Sequence, residues 1–186
     1  TEEAIRKFTP DELNILLRTA SEYDFFDNIK YAVVQSGVGL DLGKRVNTGN
    51  FDLGRLKDFI RVCKYWSVLS KEHNGDYLTN DDVKVRFEAG LDALNIAPEF
   101  GQLETLCYLE HMGDDIEDYY KICYESKRWV KWVSGKFVPE DNKEELIKIC
   151  GHYVLSDKKF LSIKPDIDVK IKSTIKNKLR ELCQKI

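Results

Sequence analysis

Three short apolar runs, at 31–34, 66–70 and 94–97, constrain this chain most, because each empties into a polar loop and a helical pattern follows. The pattern after the first loop runs from about Leu53 to Lys64, with Leu56, Phe59, Ile60 and Cys63 on one face. The next runs from the capping residue Thr79 to Glu88 or Ala89, where Gly90 ends it. The last carries Leu103, Leu106, Cys107 and Leu109. No hairpin turn separates the runs. Parallel pairing requires such crossovers and antiparallel pairing does not, so the sequence predicts an α/β fold with its loops gathered on one rim.

The flanks fit that scheme. Pro10-Asp11-Glu12 opens a helix with Leu13, Leu16 and Leu17 at helical spacing, and Thr9 and Glu12 form a reciprocal cap. Gln35-Ser36-Gly37-Val38-Gly39 follows the first run as a tight turn, and a polar loop continues to Asn50. From Asp114 the pattern becomes helical, through 115–124, the amphipathic stretch Arg128 to Val133, 142–153 and 169–185. The predicted organisation is therefore β/α units over 1–113 and a helical extension over 114–186.

Composition narrows the function classes. The 186 residues are 42% apolar and 33% charged, with a formal net charge of −3, which is the balance of an ordinary folded domain. That surface gives no reason to expect nucleic acid or an anionic membrane, and no run of about 18 apolar residues exists to span a bilayer. The five cysteines are odd in number, widely spaced and free of any CxxC pair. A disulfide framework and finger-type zinc are disfavoured, and a reducing, cytoplasmic setting is expected.

The chemistry-bearing residues cluster at the predicted strand ends. Lys71-Glu72-His73-Asn74-Gly75-Asp76 places a lysine, two carboxylates and an imidazole within six positions. His73 with Glu72 suits a divalent ion, or a proton shuttle whose tautomer a carboxylate such as Asp76 fixes; otherwise it merely caps the helix opening near Thr79. Neighbours on a strand face opposite sides, so if His73 faces the rim, Lys71 shares its side and Glu72 does not. Lys71 either meets a phosphate or is a surface lysine. Glu99 is either a general base or metal ligand, or the acid that opens the next helix. Gln35, Ser36 and Gly37 offer turn amides to a phosphate, while Lys44 and Arg45, with Asn47 and Asn50 beyond, extend a basic loop toward it. Asn95 lies within the third run.

Taken together, Val33 to Leu40, Glu72 to Thr79 and Asn95 to Leu109 resemble the last three β/α units of the tagatose-bisphosphate aldolase Z-type subunit family, a class II aldolase-like TIM barrel. The helical tail, with Tyr119-Tyr120 and Arg128-Trp129-Val130-Lys131-Trp132, resembles that family's tail more loosely. The resemblance implies the C-terminal strand–helix units of a (β/α)8 barrel, with the missing strands supplied by a longer chain, a partner subunit or a homo-oligomer. It implies a lyase or isomerase acting on a small phosphorylated sugar, or a non-catalytic subunit that stabilises a catalytic aldolase. His73 matches the family's seventh-strand metal histidine. The sixth-strand histidine falls at Gln35, a departure that breaks a zinc triad and leaves magnesium or manganese equally suited.

Overall fold

The computed structural model describes residues 8–184 and divides the chain into two compact units. The first takes residues up to Asp41 and Val46–Ile96; the second takes Leu42–Arg45 and Ala97–Gln184. The sequence expectation had placed the change of character at Gly113. α4 belongs with the helices that follow it, because it packs on them within the second unit.

The first unit begins with α1 (Pro10–Ala20), whose Thr9 hydroxyl accepts the Glu12 amide while Glu12 Oε2 accepts the Thr9 amide at 2.6 Å. β1 (Tyr31–Val34) follows, then β2 (Val38–Asp41) and β3 (Val46–Gly49), α2 (Leu53–Tyr65), β4 (Leu69–Glu72), α3 (Asn80–Glu88) and β5 (Ala93–Leu94). β4 is the centre of a three-stranded parallel sheet of order β1-β4-β5, with Tyr31 beside Leu69 and Glu72 beside Leu94. The crossovers α2 and α3 make parallel pairing possible. β2 and β3 form a separate antiparallel hairpin, with Val38 beside Gly49 and Asp41 beside Val46.

Strand alternation gives the parallel sheet two unlike faces. Ala32 and Val34 of β1 turn inward and pack with Leu13 and Leu17 of α1 and Leu56, Phe59, Ile60 and Cys63 of α2. Tyr31, Val33 and Leu69 stand on the other face and are exposed.

This architecture corrects the expected TIM barrel. Among the described residues the strands form two small open sheets, of three and two strands, and β1 and β5 each pair on one side only. A closed barrel needs every strand paired on both sides and a register stagger carried around the ring. The β/α alternation does set strand direction here, but it is common to all parallel α/β proteins and carries no information on closure. The hairpin was also missed. Its strands, VGLD and VNTG, are only four residues long and glycine-bearing, and the four residues 42–45 between them lack a two-residue turn signature.

The second unit is helical: α4 (Pro98–Leu109), α5 (Ile116–Ser126), α6 (Lys143–Cys150), α7 (Lys158–Ile163) and α8 (Asp168–Cys183). Its core packs Tyr108 edge-on and Tyr119 tilted against Phe160, at ring separations of 5.1 and 4.6 Å. Leu146, Ile147, Cys123 and Cys150 are fully buried in the same unit. Gln102 of α4 donates its amide to the carbonyls of Leu42 and Lys148, at 3.1 and 3.0 Å, which explains why residues 42–45 belong here. Two sequence expectations shift locally: 128–133 contains only a short 3-10 turn, and the helix over 142–153 ends at Cys150. No helix among the described residues is long and apolar enough to cross a membrane.

Candidate functional site

The carboxyl ends of parallel strands are where open α/β sheets place their ligands, because the loops diverge there and leave a crevice. In the first unit that rim is built around β4. Ser70 and Glu72 turn to the covered face, and Leu69 and Lys71 to the open one. Ser70 is fixed by Asp92, whose Oδ2 accepts both its amide and its hydroxyl at 2.8 and 2.7 Å. His73 is the first residue beyond the strand, at the start of the loop, and is exposed. Lys71 Nζ lies 5.9 Å from the centre of the Tyr31 ring on the same open face.

Glu72 has a different job. Its Oε2 accepts Arg86 Nε at 2.8 Å and its Oε1 accepts the Ser36 amide at 2.9 Å, and both charged side chains are about 1% exposed. Arg86 is completed by the Asp82 carbonyl at 2.7 Å, and its guanidinium lies 4.1 Å over the Phe51 ring. A buried charge pair is tolerable only when its remaining donors and acceptors are satisfied in this way. The pair ties α3 and the β1–β2 turn to the end of the central strand.

The loop after β4 is held in an unusual shape. Asn74 and Tyr77 have φ of 61° and 59°, in the left-handed region that asparagine tolerates and a bulky residue avoids. Between them a Cβ on Gly75 would sit 2.5 Å from Leu94 Cγ and 3.0 Å from the Asn95 carbonyl, so only glycine fits. The Gly75 amide donates to that carbonyl at 2.9 Å, and the Asn95 amide donates to the Glu72 carbonyl at 2.8 Å. From β3, Asn47 Nδ2 donates to the carbonyls of Asn74 and Asp76, at 2.6 and 3.2 Å.

The sequence-predicted site residues therefore separate. Lys71, on the open face, and the exposed His73 flank the carboxyl end of β4. Asp76 is on the same loop but buried. The Gln35-Ser36-Gly37 turn is present, yet its amides are spoken for: Ser36 N–H goes to Glu72, and Gly37 N–H goes to Gln35 Oε1 at 3.0 Å. Arg55 of α2 donates Nε to the Gln35 carbonyl at 2.7 Å and fixes the turn from below. The expected phosphate cradle at these two amides is not available. Lys44, Arg45 and Glu99 fall in the second unit. There Glu99 is buried and paired with Lys178 of α8 at 2.6 Å, a structural role for the proposed base.

The expected His73–Glu72 metal site is likewise corrected. Glu72 is buried while His73 is exposed, and the Glu72 carboxylate is committed to Arg86 and Ser36. Among the described residues no three His, Cys, Asp or Glu side chains are grouped to hold an ion. The five cysteines are free, and burial, with Asp92 nearby, pushes the Cys63 thiol up to about 11, which makes it unreactive at neutral pH. Sequence reasoning missed Arg86 as the partner of Glu72 and missed the function of Asn47. Arg86 left no readable signal, because nothing local in the sequence specifies which side chain of α3 turns back to the strand end. Asn47 left none either, because the hairpin that carries it was read as loop.

No family model and no curated protein matches this chain. Among solved structures it is similar to the crystal structure of a probable tagatose 6 phosphate kinase from Sinorhizobium meliloti 1021, with a TM-score of 0.58 and 17% identity. The match takes in 86% of this chain and 46% of the other, so the chain spans about half the length of the structure it resembles. At that identity the likeness is one of fold. It corrects the expected kinship with the aldolase Z-type subunit family, and the lyase or isomerase chemistry and the catalytic-partner role, which rested on that barrel resemblance, fall with it.

Proposed function

We propose that the open face of the rim, around Lys71 and His73, binds a small phosphorylated sugar. The observation that carries this reading is that Lys71, on the open face of the central strand, and the exposed His73 flank its carboxyl end, with the intervening Glu72 turned away and neutralised by Arg86. An ammonium group and an imidazole at one strand end suit a phosphate, which each can meet with a charge-assisted hydrogen bond. A buried carboxylate already paired with arginine adds little net repulsion. The ligand class is supported by the matched protein, whose description specifies a phosphorylated sugar.

Titration calorimetry with tagatose 6-phosphate and with free tagatose tests this directly. Saturable binding of the phosphorylated sugar is expected, weakened about tenfold or more by Lys71→Ala and by His73→Ala, as loss of a charge-assisted contact implies. Equal affinity for the free sugar, or no effect of either substitution, rejects the reading. The same titration with magnesium and ATP present examines phosphotransfer, the activity in the matched protein's description.

A further inference from the structure

Three features of the β2–β3 hairpin and the β4–α3 loop converge on one side chain. The loop carries two non-glycine residues in left-handed backbone, Asn74 and Tyr77. Such residues are strained and persist only where the surroundings over-determine them. The over-determination is visible: the Gly75 amide is bound by the Asn95 carbonyl, Leu94 leaves no room for a Cβ at Gly75, and both N–H groups of the Asn47 carboxamide are spent on the carbonyls that bracket Gly75. Asn47 is contributed by β3, whose other residues are half-buried or exposed, so its packing does not explain the bonds.

We infer that Asn47 is a positioning residue: it holds the 73–77 loop in its strained form and thereby sets where His73 stands on the rim. The inference rests on the phosphorylated-sugar reading for its functional consequence but not for its structural one. The residue touches no proposed ligand atom. Its effect runs through two carbonyls, and only a donor at this position can make it. A carboxylate of the same size faces those carbonyls with oxygens alone and repels them.

Asn47→Asp is therefore the discriminating variant, because it preserves volume while removing both donors, and Asn47→Ala serves as a second variant should the aspartate impair folding. Amide hydrogen exchange by mass spectrometry reads the loop without any ligand. Exchange at 73–77 is expected to rise about tenfold or more in both variants, while the amides of β1, α2 and β4 stay within about twofold of the parent. Acceleration spread over the whole first unit would reduce Asn47 to an ordinary stabilising residue and overturn the inference, as would an unchanged loop in Asn47→Asp. Calorimetry with tagatose 6-phosphate adds the functional arm, with a rise in Kd of about tenfold expected. If the parent protein binds no phosphorylated sugar, the ligand reading fails and the exchange data still decide the role of Asn47. If the parent binds and Asn47→Asp binds equally well, the positioning role is wrong and the ligand reading stands.

Discussion

At the scale of single residues, the Glu72–Arg86 pair shows how one side chain can look catalytic in the sequence and be structural in the fold. A glutamate beside a histidine at a strand end has the composition of a metal or acid–base site. Strand alternation decides otherwise, because it sends Glu72 to the covered face, where Arg86 meets it at 2.8 Å. Removing one partner leaves the other charge buried without compensation. Arg86→Ala is therefore expected to destabilise the first unit by about 3–5 kcal/mol, whereas Lys121→Ala, which breaks the solvent-exposed Lys121–Asp118 pair, is expected to cost far less. Urea denaturation of both variants checks this, and an Arg86→Ala loss no larger than that of Lys121→Ala would show that the buried pair holds nothing together. The alternation argument itself was legible: opposite faces for Lys71 and Glu72 follow from the sequence once the strand is placed. The partner was not, since no local pattern specifies which helix arginine turns inward.

At the scale of elements, what the sequence states depends on whether the signal is local. The cap at Thr9 is a contact over three residues and forms as read, and at Thr79 the Asp82 carboxylate closes the box at 3.1 Å. The β2–β3 hairpin joins two four-residue, glycine-bearing strands through a connection with no two-residue turn signature, and so it left no readable trace. The packing of α4 on the turn after α6 is a further non-local contact. A Cβ on Gly101 would sit 2.8 Å from His152 Cβ, and neither His152 ring nitrogen finds a hydrogen-bond partner among the described residues. Burial, reinforced by Lys131, pushes this imidazole down to about 4, from an ordinary value of 6.5. The unfolded chain binds the proton more tightly than the folded one. Stability from this group is thus fully present above pH 6.5 and is lost as pH falls toward 4. The linkage amounts to about 3 kcal/mol at its acid limit. Thermal melts from pH 7.5 to 4 should show that loss in the parent and a smaller one in His152→Leu, which has nothing to protonate there. Identical pH profiles for the two proteins would contradict the burial argument.

At the scale of the whole molecule, the chain combines an α/β unit with a helical one and spans about half of the structure it resembles. The α/β class and the parallel strand order were readable from three apolar runs and their helical crossovers. Closure was not, because it depends on how many strands meet around a ring and not on the character of any one of them. The site followed the same division. Lys71 and His73 stand at the carboxyl end of β4 in the first unit, and their role is the proposal made above, while Glu99, Lys44 and Arg45 belong to the other unit. The central claim is that the open face beyond β4 receives a phosphorylated sugar, and amide chemical-shift mapping during titration with tagatose 6-phosphate tests it most directly. The account predicts saturable shifts concentrated at 71–77 and at 35–37, which lie side by side through the Ser36–Glu72 bond, with the core of the helical unit undisturbed. Shifts that gather elsewhere, or that free tagatose reproduces in full, would contradict it.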